Sequence, residues 1–209
     1  GEIEMEKVHC AGLAVAAAGA LDIAFWSRTD RVAADLQRHV VFHPADGAQE
    51  GIAAHRIGHF EQQRCSKLAE HLFPSHNISF HDDLKEINCG EWELRKWDDI
   101  PQDLVMPWMN DFVNVRIPGG ESYLDLFART TTIFQSIAAK KETAAIVSHG
   151  GVLRSILSHL TNTALIDSFN VFKLQYGCVV KLYLQDDQFV HDVLHNVQST
   201  SEQHKPSFK

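Results

Sequence analysis

A chain of 209 residues, 44% hydrophobic and 22% charged, has enough apolar mass for a substantial core and lacks the composition of a disordered segment. A net charge of −8 argues against a broad basic face for nucleic acid or for an anionic membrane. The four cysteines, Cys10, Cys65, Cys89 and Cys178, form no C-x-x-C pair, which disfavours a zinc site and suggests reduced thiols.

The apolar run from Ala11 to Leu21 follows Glu2, Glu4 and Glu6, where a signal peptide would carry positive charge. The run is also too short to span a bilayer, so the expectation is a cytoplasmic protein with no membrane partner. Residues 11–60 hold 13 alanines in 50 positions, against 7 in the 149 positions of 61–209, and strand signals are nearly absent before Phe60. The first sixty residues therefore form an atypical N-terminal part. A shifted reading frame upstream of Phe60 is one account of this break, and resequencing codons 5 to 60 tests it.

From residue 61 the organisation is legible. "EQQRCSKLAEHLF" places Cys65, Leu68, Ala69 and Leu72 on one helical face, with Pro74 as a stop. Ile78 to Phe80 reads as a strand, followed by a loop turning at Gly90. Residues 92–117, with Trp97, Pro101, Pro107 and Trp108, read as an irregular or short-helical insertion of the kind that covers a site. In "IPGGES", Ser122 or a neighbour caps a helix marked by Tyr123, Leu126, Phe127, Ile133, Phe134 and Ile137. A strand from Ala144 to Ser148, a helix from Val152 to Leu160 and strands over Cys178 to Leu184 and Phe189 to Leu194 complete the pattern, and residues 198–209 form a polar tail. Strands alternating with helices predict one α/β domain over 1–209, a three-layer α/β/α fold with a mostly parallel central sheet. In such folds ligands sit beyond the carboxyl ends of the strands.

His149 stands at such an end, in "AAIVSHGGVLRSIL". A strand running through His-Gly-Gly into a helix brings unpaired backbone N–H groups, a helix dipole and an imidazole to one point, a good place for a phosphate. Alone, such a histidine is as readily a buried, hydrogen-bonded side chain. Arg64, near the start of its helix, has the fork geometry for phosphate oxygens, although a lone arginine there is more often a surface residue. Glu86 sits where a strand gives way to a loop. If partly desolvated, its carboxyl suits proton delivery to a leaving oxygen; the plainer reading is a solvated glutamate.

Taken in order, "QQRCSKLAEHL", "LKEINCGEWE", "IPGGES" and "AIVSHGGVLRSIL" resemble the histidine phosphatase, or phosphoglycerate mutase-like, superfamily over residues 62 to 185. The tracts "EINCGEWELRKWDD" and "YGCVVKL" resemble its α-ribazole phosphatase branch. The resemblance implies a phosphoglycerate mutase-like fold and a covalent phosphohistidine mechanism without metal or cofactor. It also implies a small phosphorylated metabolite as partner, most closely α-ribazole 5′-phosphate of cobalamin synthesis. It makes Arg64 a phosphate ligand, Glu86 the proton donor, and His149 a wall of the phosphate pocket that stabilises the transition state.

The family opens with a strand ending in Arg-His-Gly, whose histidine is the nucleophile, and this chain contains no Arg-His-Gly. "SRTD" at 27–30 places Thr29 35 residues before Arg64, the spacing of a family turn, and by that measure the nucleophile belongs near Val15, where there is no histidine. His9, in Val8-His9-Cys10, needs about six extra loop residues, and His39 lies on the wrong side of the turn. No nucleophile is assigned. The sequence therefore leaves two expectations: a phosphomonoesterase, or a catalytically impaired relative that binds a phosphorylated metabolite.

Overall fold

The computed structural model describes residues 11–16, 51–54 and 63–196, Tyr176 excepted, with side chains from Cys65 onward. The elements are β1 (Ala11–Ala16), β2 (Gly51–Ala54), α1 (Gln63–Leu72), β3 (Ile78–Phe80), α2 (Gln102–Asn110), α3 (Tyr123–Ala138), β4 (Ala144–His149), α4 (Gly150–Thr161), α5 (Ser168–Val171), β5 (Val179–Gln185) and β6 (Gln188–His195). The "SRTD" turn, His9, His39 and the 198–209 tail lie outside the described residues.

One sheet runs in the order β3-β2-β4-β1-β5-β6. β2 is parallel to β3 and β4, and β1 is parallel to β5; β1 against β4 and β5 against β6 are antiparallel. β4 is buried at every position, as expected of a strand covered on both faces. Its period of two decides which side chains meet which helix. Ala145 and Val147 pack with Val179 against Cys65, Ala69 and Phe73 of α1 and its C-terminal extension. Ala144 and Ile146 turn the other way, joining Val180 and Leu182 against α3 and α4 through Leu126, Phe134, Val152, Leu153 and Ile156. Helices therefore cover both faces of the sheet. Each fully enclosed apolar side chain of this larger cluster contributes roughly 1.5–3 kcal/mol.

The helix ends follow local chemistry. Ser122 opens α3 with a capping box: its Oγ accepts from the Asp125 N–H at 3.2 Å, and its own N–H donates to Asp125 Oδ2 at 2.8 Å. Removing the hydroxyl orphans one helix-terminal donor, so Ser122→Ala is expected to cost about 1–2 kcal/mol in urea unfolding; an unchanged midpoint would show that the cap carries no stability. α4 closes at Asn162, whose φ of 56° is a left-handed conformation that asparagine tolerates. At the β5–β6 hairpin, Asp186 and Asp187 take φ of 51° and 60°, the primed turn that matches strand twist.

One sequence expectation changes. Strands do form before Phe60: the alanine-rich run supplies β1, and Gly51–Ala54 supplies β2. Alanine and glycine are poor strand formers in isolation, and pairing with β4 on both of its edges overrides that preference. The direction of β1 bears on the missing nucleophile. A strand delivering a nucleophile from its carboxyl end should run alongside β4, whereas β1 runs against it, with Ala11 opposite His149 and Val15 opposite Ala145. The position near Val15 is thus at the far end of β4 from His149. The insertion over 92–117 is entered from a 3-10 turn at Gly90–Trp92 and holds a second at Trp97–Asp99, then α2 and an irregular stretch. Trp92 and Trp108 are buried in the main cluster and Trp97 stacks on Trp108 at 5.7 Å.

Candidate active site

The site is built at the junction of β4 and α4. His149 is the last residue of β4 and the N-cap of α4, with extended backbone (φ −115°, ψ 165°) and 2% exposure. The strand end is pinned from two sides. Ser148 Oγ donates to the Leu84 carbonyl at 2.7 Å, and Cys65 Sγ donates to the Ser148 carbonyl at 3.4 Å. The same sulfur lies 3.5 Å from His149 Nε2 and 3.9 Å from Nδ1, so α1 packs a thiol against the imidazole. Arg64, the second residue of α1, directly precedes that thiol; its side chain lies outside the described residues.

Ser148 also draws in the turn at Asp82–Leu84, and this turn leads to Glu86. The Glu86 carboxylate reaches the first turn of α4. Oε2 accepts from the Gly151 N–H at 3.2 Å, and Oε1 accepts from the Ile87 N–H at 3.0 Å. The residue is half-buried overall, with its carboxyl end enclosed. Burial raises its pKa from 4.5 to about 7, against the opposing pull of the two N–H groups and of Arg154 and Arg129. A carboxyl poised there both gives and takes a proton near neutrality.

Gly151 permits this approach. A Cβ at that position would meet Glu86 Oε1 and would come within 3.0 Å of Leu126 Cδ2. Glycine is therefore required because the acid occupies the space of the missing side chain.

The structure sets Glu86 against Gly151, two residues past His149, and it adds residues the sequence did not single out. Arg154, on α4 and 4% exposed, donates through Nε to the Phe172 carbonyl at 3.2 Å, and its Cζ lies 4.4 Å over the Phe169 ring. No carboxylate among the described residues forms an ion pair with it. Tyr123 is buried against Gly151, its hydroxyl 3.5 Å from the carbonyl it donates to, and burial pushes its pKa up to about 12. The available signal was helical position: Arg154 lies three residues past Gly151 in a run of buried residues, where an arginine is out of keeping. Among the described residues, no group of three or more His, Cys, Asp and Glu side chains is arranged to hold a metal ion, and no helix is long and apolar enough to cross a membrane.

Several solved structures share this fold. An α-ribazole phosphatase from Shigella flexneri superposes with a TM-score of 0.64 at 19% identity, covering 83% of this chain and 86% of that one. A mycobacterial glucosyl-3-phosphoglycerate phosphatase gives 0.59 at 17% identity, covering 80% and 84%. A phosphoglycerate mutase from Bacillus anthracis gives 0.50 at 16%, covering 69% and 71%. No curated protein matches the sequence. Residues 53–197 match the histidine phosphatase superfamily (branch 1), a span of most of the chain that takes in β3 to β6 together with Glu86 and His149. The fold is accordingly phosphoglycerate mutase-like, and the chain belongs to the histidine phosphatase superfamily.

Proposed function

We propose that the protein is a phosphomonoesterase acting on a small phosphorylated metabolite, with α-ribazole 5′-phosphate as the first substrate to test. The observation that carries this reading is the Glu86 carboxyl, lifted to a pKa of about 7 and held against the start of α4 two residues from His149. In this reading the phosphate sits over the N-terminus of α4, where the helix dipole and His149 meet its negative charge, and the family resemblance adds Arg64 as a further phosphate ligand. A histidine nitrogen takes the phosphoryl group as the P–O bond to the leaving oxygen breaks, Glu86 protonates that oxygen, and the resulting carboxylate keeps its two N–H bonds. It then takes a proton from the water that attacks the phosphohistidine, which breaks the P–N bond and releases phosphate and the free imidazole. The α-ribazole phosphatase fold in Shigella flexneri and the "EINCGEWELRKWDD" tract support this choice of substrate.

One observation favours the second reading, a relative that binds a phosphorylated metabolite without turning it over. β1 runs against β4, so its carboxyl end is remote from His149, and the sequence offers no Arg-His-Gly. Ala11 is the β1 residue opposite His149, and His9 stands two positions before it in the chain. That makes His9 the histidine to replace first.

Incubation with α-ribazole 5′-phosphate and with an aryl phosphate, with and without chelator, separates the readings. Phosphate release that persists in chelator is the expected result. Binding of inorganic phosphate with no release from either ester would establish the binding relative instead. In an active protein, full activity in His9→Ala would exclude His9 as the phosphoryl acceptor.

A further inference from the structure

The segment that carries Glu86 has little regular structure of its own: a single 3-10 turn at Asp82–Leu84, an irregular stretch, and another 3-10 turn at Gly90–Trp92. A catalytic carboxyl on such a loop needs something to hold the backbone. Three of the loop's carbonyls converge on one guanidinium. Arg129 of α3 donates through Nη1 to Asp83 O and Lys85 O, each at 2.8 Å, and through Nη2 to Glu86 O at 3.0 Å.

That guanidinium is itself gripped. It forks onto Glu121, Nε to Oε1 at 2.8 Å and Nη2 to Oε2 at 2.9 Å, the bidentate arrangement that fixes orientation as well as charge. Both side chains of the pair are about one-fifth exposed or less (18% and 20%). Glu121 reaches the far side of the same loop: Oε2 accepts from the Asn88 N–H and its own N–H donates to Asn88 O, both at 2.9 Å. Burial pushes the Glu121 carboxyl up, but the Arg129 fork and the Asn88 amide outweigh it and leave its pKa below the ordinary value. The pair thus straddles Glu86, holding the loop at residues 83, 85 and 86 on one side and at 88 on the other.

We propose that Glu121 and Arg129 are a positioning pair for the proton donor, holding the Glu86 loop so that its carboxyl stays enclosed against Gly151. The inference rests on the reading of Glu86 as an acid–base group; its test does not require turnover. Among the described residues, the charged and titratable groups that act on Glu86 are Arg129 and Tyr123 on α3 and Arg154 on α4, with His149 two residues before the Gly151 amide. Arg129 acts on the carboxyl in two opposed ways. As a bare cation it favours the carboxylate and lowers the pKa; as a clamp it keeps the group out of water and so raises it.

Removing Arg129 therefore has a diagnostic sign. The Glu86 carboxyl is followed by 13C NMR titration of the intact chain, its signal assigned by loss in Glu86→Gln, with a thermal melt of each variant. In Arg129→Gln and Arg129→Lys the midpoint is expected to fall from about 7 towards 4.5, by about one unit or more, while the melt stays cooperative. Lysine keeps the charge but cannot reach three carbonyls and a carboxylate together, so it carries the comparison should the glutamine variant not fold. A midpoint that rises or stays put in Arg129→Lys would overturn the proposal, because charge alone would then describe the residue. In a protein that turns over, alkyl phosphate hydrolysis falls by about 10- to 100-fold in kcat with KM nearly unchanged, and an aryl phosphate, whose leaving group needs little protonation, falls much less. A wild-type protein that releases no phosphate would sink the phosphatase reading while leaving the titration result standing.

Discussion

Glu86→Gln is expected to slow hydrolysis of an alkyl phosphate by about 10²- to 10⁴-fold, the usual contribution of a positioned general acid, and to slow an aryl phosphate far less. The same substitution changes stability in a direction that depends on pH. Glu86 titrates near 4.5 when unfolded and near 7 when folded. Between those values the folded protein binds more proton than the unfolded chain, so this group's contribution declines as pH rises from about 4.5 to about 7 and is constant above. Over that interval the loss is about 3 kcal/mol. Glutamine is uncharged at every pH, so the variant should match the wild type near pH 4 and exceed it by up to about 3 kcal/mol at pH 8. Urea unfolding of both proteins across that range measures the difference. A gap that does not widen with pH would mean that the carboxyl is hydrated in the folded state.

Gly151→Ala should reproduce the loss of turnover with the acid still present. The added methyl group would collide with Glu86 Oε1 and crowd Leu126 Cδ2 at 3.0 Å. Strained side chains in a tight site cost about 1–3 kcal/mol, and expulsion of the carboxyl into water relieves both the clash and the burial of its charge. The expected result is a Glu86 pKa back in the ordinary carboxyl range, a stability change at pH 8 that stays small, and alkyl phosphate turnover as slow as in Glu86→Gln. Wild-type turnover in Gly151→Ala would show that the donor acts from another position.

The legible parts of the sequence are those where periodicity and punctuation agree. α3 begins after Ser122 as its cap requires, and β4 and α4 meet at the His-Gly-Gly corner. The boundaries of α4 were less legible: Gly150 and Gly151 lie inside the helix rather than in a turn before it. Glycine is a poor helix former, and the sequence alone does not reveal that Glu86, 65 residues away, takes the space a Cβ would fill. β1 and β2 were hidden for a related reason, since alanine and glycine carry no strand signal until a neighbouring strand fixes them. Within the site, Glu86 and His149 were recognisable by their motifs. Arg129 and Glu121 were not, because each bonds to backbone carbonyls and amides, and a carbonyl partner leaves no trace in residue identity.

The bonds that build the corner are long in sequence. Cys65 reaches Ser148 across 83 residues, Glu86 reaches Gly151 across 65, Ser148 reaches Leu84 across 64, and Arg129 reaches Asp83 across 46. Each closes a large loop before it yields any stabilisation, and contacts of that kind form slowly. The raised pKa of Glu86 therefore belongs only to the finished chain: an intermediate lacking α4 has no Gly151 amide for the carboxylate and nothing to shut out water. Proton uptake by this one group near pH 6 thus reports the docking of α4 on the Glu86 loop, and a pH jump during refolding would time the moment at which the site closes.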